Sequence, residues 1–509
     1  MAKSIFILIV FILVVFFPCL KADFINLDDG GHVVGNSAVQ DLSLGSIKQM
    51  FTQTVNKTYI PLTTLSFAIE KRFFGFNQFV FHLDNLLIYT GVVILVLLLA
   101  KQMGLSLEAS FLAALIFAIH PMRVETVAWV TERKDVLYAL FYLLALHQYW
   151  AYLKTLSIKH YLLTFLFGLM SILAKPMALS LPLILLVLDW FYGRRLTKRV
   201  FIEKIPIFLY IIGIAWTTYA LNRDHHIGNI FPQGALIWVW SLVFYVWKFF
   251  FPFQLSPYYV LPYPVSIFHW PYSLSVVLFL LLILLLVRFH KHKLFIFSFL
   301  YFFFSIFFLL RFDGRWFNVV ADRFMFLPSL GICLFVGGWA VQRLKNRWCK
   351  IILYFLLVLM GIRTDLQCQI WHNSISFWNA VIKEDPYYYR AYNNRGVAFF
   401  QEEQDDFALR DFNMAIALEP QAVKAYNNRG FLYYIKKEDS KALEDFNKAI
   451  SLDPTFPATY MNLSLLKKAQ KDYSQALQDA LYAKKLGLLV DDAYIKRLQR
   501  AIKVSIPSK

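Results

Sequence analysis

Residues 389–422 read YRAYNNRGVAFFQEEQDDFALRDFNMAIALEPQA, and residues 423–456 read VKAYNNRGFLYYIKKEDSKALEDFNKAISLDPTF. The two stretches repeat one another with a 34-residue period. Tyr392, Gly396, Phe399, Ala408, Phe412, Ala415 and Pro420 recur as Tyr426, Gly430, Tyr433, Ala442, Phe446, Ala449 and Pro454. Small residues at fixed places let paired helices pack closely, and proline ends the second helix of each pair. A third copy keeps Tyr460, Leu463, Ala476 and Ala483, with Ser464 in place of the glycine and no closing proline. Upstream, Trp378 and Pro386 fall in the same register and suggest a preceding half-repeat.

This is the tetratricopeptide pattern, and agreement at so many positions is specific. It places repeats near 389–422, 423–456 and 457–490 in a soluble α-solenoid over residues 366–505. Stacked repeats bury a continuous core and leave a concave groove. Asn394, Asn428 and Asn462 recur at the 34-residue spacing on the first helix of each repeat. An amide donates and accepts at once, so such a ladder suits the backbone of an extended acceptor peptide. The plainer reading is that asparagine is common at this repeat position.

Upstream of the repeats the character changes. The whole chain is 59% hydrophobic with 51 phenylalanines, against roughly 45–50% apolar residues in an ordinary soluble protein. Apolar runs of spanning length follow one another from Phe79 to Ile362. The net charge of +18 is spread over short loops rather than gathered into one patch, which fits membrane orientation and not nucleic-acid binding. Basic clusters at Lys101, at Lys154 and Lys159, at 194–204, at 288–293 and at 343–350 are assigned to the cytoplasm. The loops between them then lie outside: residues 21–78, 120–134, the Lys175-Pro176 turn, 222–234 and 311–323. Residues 5–20 form an uncleaved first helix, since no small-residue cleavage pattern follows. The run at 235–253, which contains Lys248 and precedes a proline-rich stretch, is read as non-spanning or re-entrant. The expected fold is therefore all-α: a membrane bundle of about 11 spans in residues 1–365, with the solenoid outside. Four cysteines (Cys19, Cys333, Cys349, Cys368) in no CxxC or Cys/His spacing support neither a disulfide framework nor a zinc site.

The external loops carry the chemistry. Asp28-Asp29 follows the first helix closely, where one carboxylate can serve as general base; a turn over Asp-Asp-Gly-Gly is the structural alternative. An amphipathic stretch with Leu44, Ile47, Phe51 and Val55 is spaced to lie flat on the membrane. The second loop holds His120, Arg123 and Glu125, then Glu132, Arg133, Lys134 and Asp135, a density of ionisable groups that is costly beside a bilayer unless they face water or a ligand. Lys175, Arg133 and Arg323 are suited to a lipid-linked phosphate, with snorkelling and internal salt bridges as the alternative. His82 and Asp84 serve as interhelical glue. His225-His226 reads as a solvated loop, and no metal site is nominated.

With these residues in place, the chain resembles the transmembrane and tetratricopeptide-repeat protein O-mannosyltransferases and their bacterial relatives, membrane glycosyltransferases of the GT-C type. The resemblance rests on Leu27-Asp28-Asp29, Phe81-His82-Leu83-Asp84-Asn85, His120-Pro121 with Glu125, Arg133-Lys134-Asp135, Lys175-Pro176-Met177-Ala178, and Ala321-Asp322-Arg323 with Leu327-Pro328-Ser329, in the family's order. It implies transfer of a sugar from a polyprenyl-phosphate carrier to an extracytoplasmic protein hydroxyl. It also puts the Asp28-Asp29 pair at the active site, and His120, Arg123, Glu125, Arg133, Lys134, Asp135, Lys175, Asp322 and Arg323 with the donor or substrate. The implied partners are the lipid-linked sugar, the membrane and an acceptor protein on the repeats; beyond the donor no cofactor is named. A bacterial inner membrane is the expected location. The chain departs from the family pattern at Leu27, where tryptophan is usual, at Ile60 before Pro61-Leu62, and at Tyr258-Tyr259 near Leu255-Ser256, where an acid is often found. Two other readings stand: a non-catalytic membrane scaffold, and a glycosyltransferase acting on a lipid or glycan.

Overall fold

The computed structural model describes residues 1–56, 58–220, 233–312 and 319–505. His225-His226, Lys57 and residues 313–318 of the loop before Arg323 lie outside the described residues. The chain divides into two compact units, Met1–Phe377 and Trp378–Lys509. Among the described residues the regular structure is helical throughout.

In the first unit, six helices are long and apolar enough to cross a membrane: Gln78–Gln102, Val130–Thr155, Lys198–Thr217, Gln233–Phe250, Trp270–Arg288 and Arg347–Trp371. Leu107–Ile119 and Pro121–Ala128 add a seventh if that pair, bent by 59°, forms one span. Four apolar helices are shorter: Ala2–Val15, Ile158–Ala174, Ala178–Tyr192 and Lys293–Phe307. The larger number expected from loop charge thus counts helices that length alone does not certify. Side-chain caps start several of them. Asn77 accepts from Val80 N, and Ser106 accepts from Ala109 N, each filling one of the donors a helix start leaves open.

The Gln233–Phe250 helix is long enough to cross by itself, and it packs along Trp270–Arg288, where Trp238 meets Phe279, as well as on its other neighbours. Trp238 packs on Phe307 and Phe312, Ala321 N donates to the Tyr245 hydroxyl at 3.1 Å, and the Phe249 carbonyl meets His120. Lys248 then donates to the carbonyls of Phe253 and Gln254 and closes the turn that follows.

The expected amphipathic helix forms over Leu44–Thr52. Met50 packs inward with Ala38 and Ala68, while Leu44 and Phe51 stay exposed.

The second unit consists of helix pairs in the expected register. Tyr389–Gln401 pairs with Asp405–Leu418, Val423–Ile435 with Asp439–Leu452, and Pro457–Ala469 with Tyr473–Lys485. At Gly396 an added Cβ would lie 2.7 Å from the Phe412 ring, and at Gly430 2.9 Å from Phe446; the glycines are where helices touch ring to backbone. The third copy solves the same place differently. Its Ser464 hydroxyl donates to the Ala476 carbonyl at 2.6 Å and bonds the Tyr494 hydroxyl at 2.9 Å. Tyr494 belongs to a last helix, Asp492–Ser505, which covers Ala476, Ala480 and Ala483 with Tyr494, Ile495 and Leu498. That helix closes the hydrophobic end that an array of stacked repeats otherwise exposes.

Candidate functional site

The glycines after Asp28-Asp29 let the chain coil at once. The Asp28 carbonyl accepts from Gly31 N at 3.0 Å and His32 N at 2.9 Å, so the turn expected of Asp-Asp-Gly-Gly is present. The two carboxylates, adjacent in sequence, have different surroundings. Asp29 is buried. Its oxygens accept from Ile25 N at 2.8 Å, from Thr131 N at 2.9 Å and from the Thr131 hydroxyl. It pins the first loop to the second. Burial pushes its pKa up to about 6, against the pull of those hydrogen bonds. Asp28 is half-buried, and among the described residues its carboxylate makes no hydrogen bond or ion pair. Burial raises its pKa most; Lys134 and Arg323 pull it down and Glu132 pushes it up.

Those neighbours belong to a cluster built around Glu132. One Glu132 oxygen lies 3.1 Å from Lys134 Nζ and 3.6 Å from Arg323 Nε; the other lies 3.1 Å from Lys175 Nζ. Lys175 also reaches Asp135 at 2.6 Å. Arg323 pairs with Glu125 through its guanidinium, and its backbone N–H donates to the same carboxylate at 2.9 Å. The Trp129 ring carries Lys134 and Arg323 at 5.8 and 5.7 Å from its centroid, and stacks on Trp371 at 5.5 Å. Lys134 and Arg323 keep 10% and 17% of their side chains exposed against 5% for Lys175, so they are the more open of these cations. Asp322 sits next to this group. Its carboxylate accepts from the Tyr259 hydroxyl at 2.8 Å, and burial, then Glu125, raises its pKa to about 8.

Three residues singled out in the sequence face elsewhere. Arg123 is fully buried and spends its guanidinium on the carbonyls of Phe117, Met325 and Phe326 and on the Ser329 hydroxyl. His120 accepts from Met122 N through Nδ1, which leaves Nε2 to donate to the Phe249 carbonyl at 2.8 Å. Arg133 points away from its neighbour Lys134. It pairs with Glu70, bonds Asn85 at 2.7 Å and the Phe81 carbonyl at 2.8 Å, and lies 3.4 Å from Asp84. It is wholly buried and ties the first loop's Pro61–Phe74 helix to the Gln78–Gln102 helix.

The sequence reading missed the roles of Glu132, Trp129, Thr131 and Tyr259. It also missed His32, buried beside Lys134 and Glu132, whose pKa burial and then Lys134 lower to about 3. Glu132 stood in a run of charges with nothing in its spacing to mark it as the hub. Tyr259 stood out only as a departure.

In the repeats, the asparagines form one relay. Asn462 donates to Asn427 at 2.9 Å, Asn427 to Asn428 at 3.2 Å, Asn428 to Asn393 at 3.0 Å and Asn393 to Asn394 at 3.0 Å. The ladder is knitted to itself from repeat to repeat. Beside it, Arg395 clamps Asp411 at 2.7 and 2.8 Å, and Arg429 clamps Asp445 at 2.8 and 2.7 Å.

A tetratricopeptide repeat family matches residues 423–456. The human protein O-mannosyl-transferase TMTC4 is 33% identical over 155 residues, 26% of this chain and 21% of its own length. The protein O-mannosyl-transferase tmtc2 of Xenopus laevis is 31% identical over 194 residues, 35% of this chain and 23% of its own. The chain thus spans about a fifth of the length of these curated relatives. Among solved structures, the TPR2B domain in complex with an Hsp70 peptide of yeast Sti1 is 22% identical, covering 23% of this chain and 98% of that one, with a TM-score of 0.21. Residues 423–456 thus carry a tetratricopeptide repeat, and parts of the chain are similar to protein O-mannosyl-transferases.

Proposed function

We propose that this relative of the transmembrane and tetratricopeptide-repeat O-mannosyltransferases moves a sugar from a polyprenyl-phosphate carrier to a protein hydroxyl on the extracytoplasmic side. The observation that carries the reading is the contrast at Asp28-Asp29. Asp29 is committed to holding two loops together; Asp28 lies beside Lys134 and Arg323 with its oxygens uncommitted among the described residues. In the proposed reaction Asp28 takes the proton of the acceptor hydroxyl as that oxygen bonds to the anomeric carbon. The bond from that carbon to the phosphate oxygen breaks, and the electron pair leaves with the polyprenyl phosphate. Lys134 and Arg323 stabilise the charge that grows there. Lys175 holds Glu132 and Asp135 in place beneath them.

A largely apolar cavity of about 310 Å³ is lined by Leu242, Val246, Phe250, Leu281 and Leu285, and suits a prenyl tail. The helix that lines it also comes close to the charged group, since Ala321, next to Asp322, donates to Tyr245. The repeats are proposed to recruit the acceptor, with the amides of Asn394, Asn428 and Asn462 meeting its backbone.

The test uses membranes supplied with polyprenyl-phosphate mannose and a hydroxyl-bearing peptide. Transfer that depends on the donor and disappears in Lys134→Ala/Arg323→Ala supports the reading. Parental transfer in that double variant overturns the phosphate assignment.

A further inference from the structure

Two of the four cysteines lie side by side, although nearly the whole membrane unit separates them in sequence. The start of the chain runs parallel to the end of that unit. Cys368 Sγ lies 3.9 Å from the Val15 carbonyl, four residues before Cys19. Cys19 is the ionisable group that acts most strongly on the Cys368 thiol, which places the two side chains near one another. Four residues beyond each cysteine, Asp23 N donates to the His372 carbonyl at 2.8 Å; further on, Asn26 N donates to the Ser374 hydroxyl at 3.0 Å. The Cys19/Cys368 and Asp23/His372 pairs share the same sequence offset, so the two segments run side by side here. Both cysteines are buried, at 3% and 1% exposure, and both are thiols in this structure. The other two lie apart: Cys333 is buried in the Ser329–Arg343 helix, and Cys349 stands in the basic stretch that begins the Arg347–Cys368 helix.

We propose that Cys19 and Cys368 are oxidised to a disulfide in the mature protein, which fastens the root of the first external loop to the end of the last membrane helix. The inference rests on the orientation proposed above, which puts both cysteines on the oxidising side; a reduced cytoplasm does not sustain such a bond. The co-reactant is the disulfide of an extracytoplasmic thiol–disulfide oxidoreductase. One cysteine thiolate attacks it and forms a mixed disulfide, releasing one thiolate of the oxidant. The second cysteine attacks the mixed disulfide and releases the other. The pair thus loses two protons and two electrons, and the oxidant becomes a dithiol. Exchange precedes final packing, since the assembled segment buries both sulfurs. The consequence is a fixed origin for the loop that carries Asp28, a few residues on.

The test counts thiols on the full chain. Membranes are quenched with N-ethylmaleimide and denatured, and the remaining cysteines are reduced and tagged with a maleimide polymer that shifts the band on a gel. Two tags are expected in the parent, and none when reductant precedes the quench. Cys19→Ser and Cys368→Ser should each give no tags. Peptide mapping should recover the segment with Cys19 joined to the segment with Cys368. A parent with no tags, all four thiols having been open to the quench, overturns the inference. Orientation is read separately, from a reporter fused to the C-terminus, so an error in sidedness shows as cytoplasmic reporter activity whatever the tag count.

Discussion

The two units use charge in opposite ways. In the repeats two part-buried ion pairs are periodic: Arg395 with Asp411 and Arg429 with Asp445 each join the two helices of one repeat. In the membrane unit several are singular and distant. Arg133 reaches back to Glu70, Lys175 to Glu132, and Arg323 to Glu125 across some two hundred residues of chain. A periodic pair stabilises a motif that recurs elsewhere in the molecule. A singular buried one is committed to a single geometry, and its loss leaves a charge with nothing to replace its partner.

The largest effect is therefore expected at Arg133. Arg133→Ala strands Glu70 and Asn85 in the interior and should cost about 3–5 kcal/mol, seen as a lower midpoint of thermal unfolding in detergent and less assembled protein. Arg429→Ala opens the matching contact in the repeats, where the arginine side chain is 20% exposed. Its cost should be smaller, about 1–3 kcal/mol, read from the helical signal of the repeats. Equal shifts for the two substitutions would erase the comparison. Gly430→Ala puts a methyl group against the Phe446 ring and should cost about 1–3 kcal/mol by overpacking; an unchanged midpoint would mean that the ring moves aside freely. Asn462→Ala removes one inter-repeat hydrogen bond and should cost about 1 kcal/mol, with acceptor-peptide affinity measured alongside to separate loss of folding from loss of contact.

The same comparison explains what could be read from sequence. The solenoid was legible because Gly396 and Phe412, or Gly430 and Phe446, meet inside one repeat, and the period prints their spacing twice. The all-α membrane class was legible from apolar runs and basic loops. Site geometry was legible only as a set of residue types. Arg133 and Lys134 are neighbours with one charge, yet one faces Glu70 and the other Glu132. Asp28 and Asp29 divide in the same way, and the divider is Thr131, far along the chain. Ser464 looked like a degraded repeat position until Tyr494 supplied its partner. Contacts between distant segments leave no spacing to read.

Asp28 also gives a pH signature. Its carboxylate is the working form of a base, and burial sets its pKa above the ordinary 3.8. Transfer should fall as pH drops through that raised value and recover as it rises.

The most direct measurement compares Asp28→Asn with Asp29→Asn for sugar transfer in membranes, together with limited proteolysis of the first loop. Asp28→Asn should lower turnover by about 10²–10⁴-fold, abolish the acid limb of the pH profile and leave the loop as protease-resistant as in the parent. Asp29→Asn should loosen the loop, because its clamp to Ile25 and Thr131 weakens. Parental transfer by Asp28→Asn at full loop protection would contradict the account.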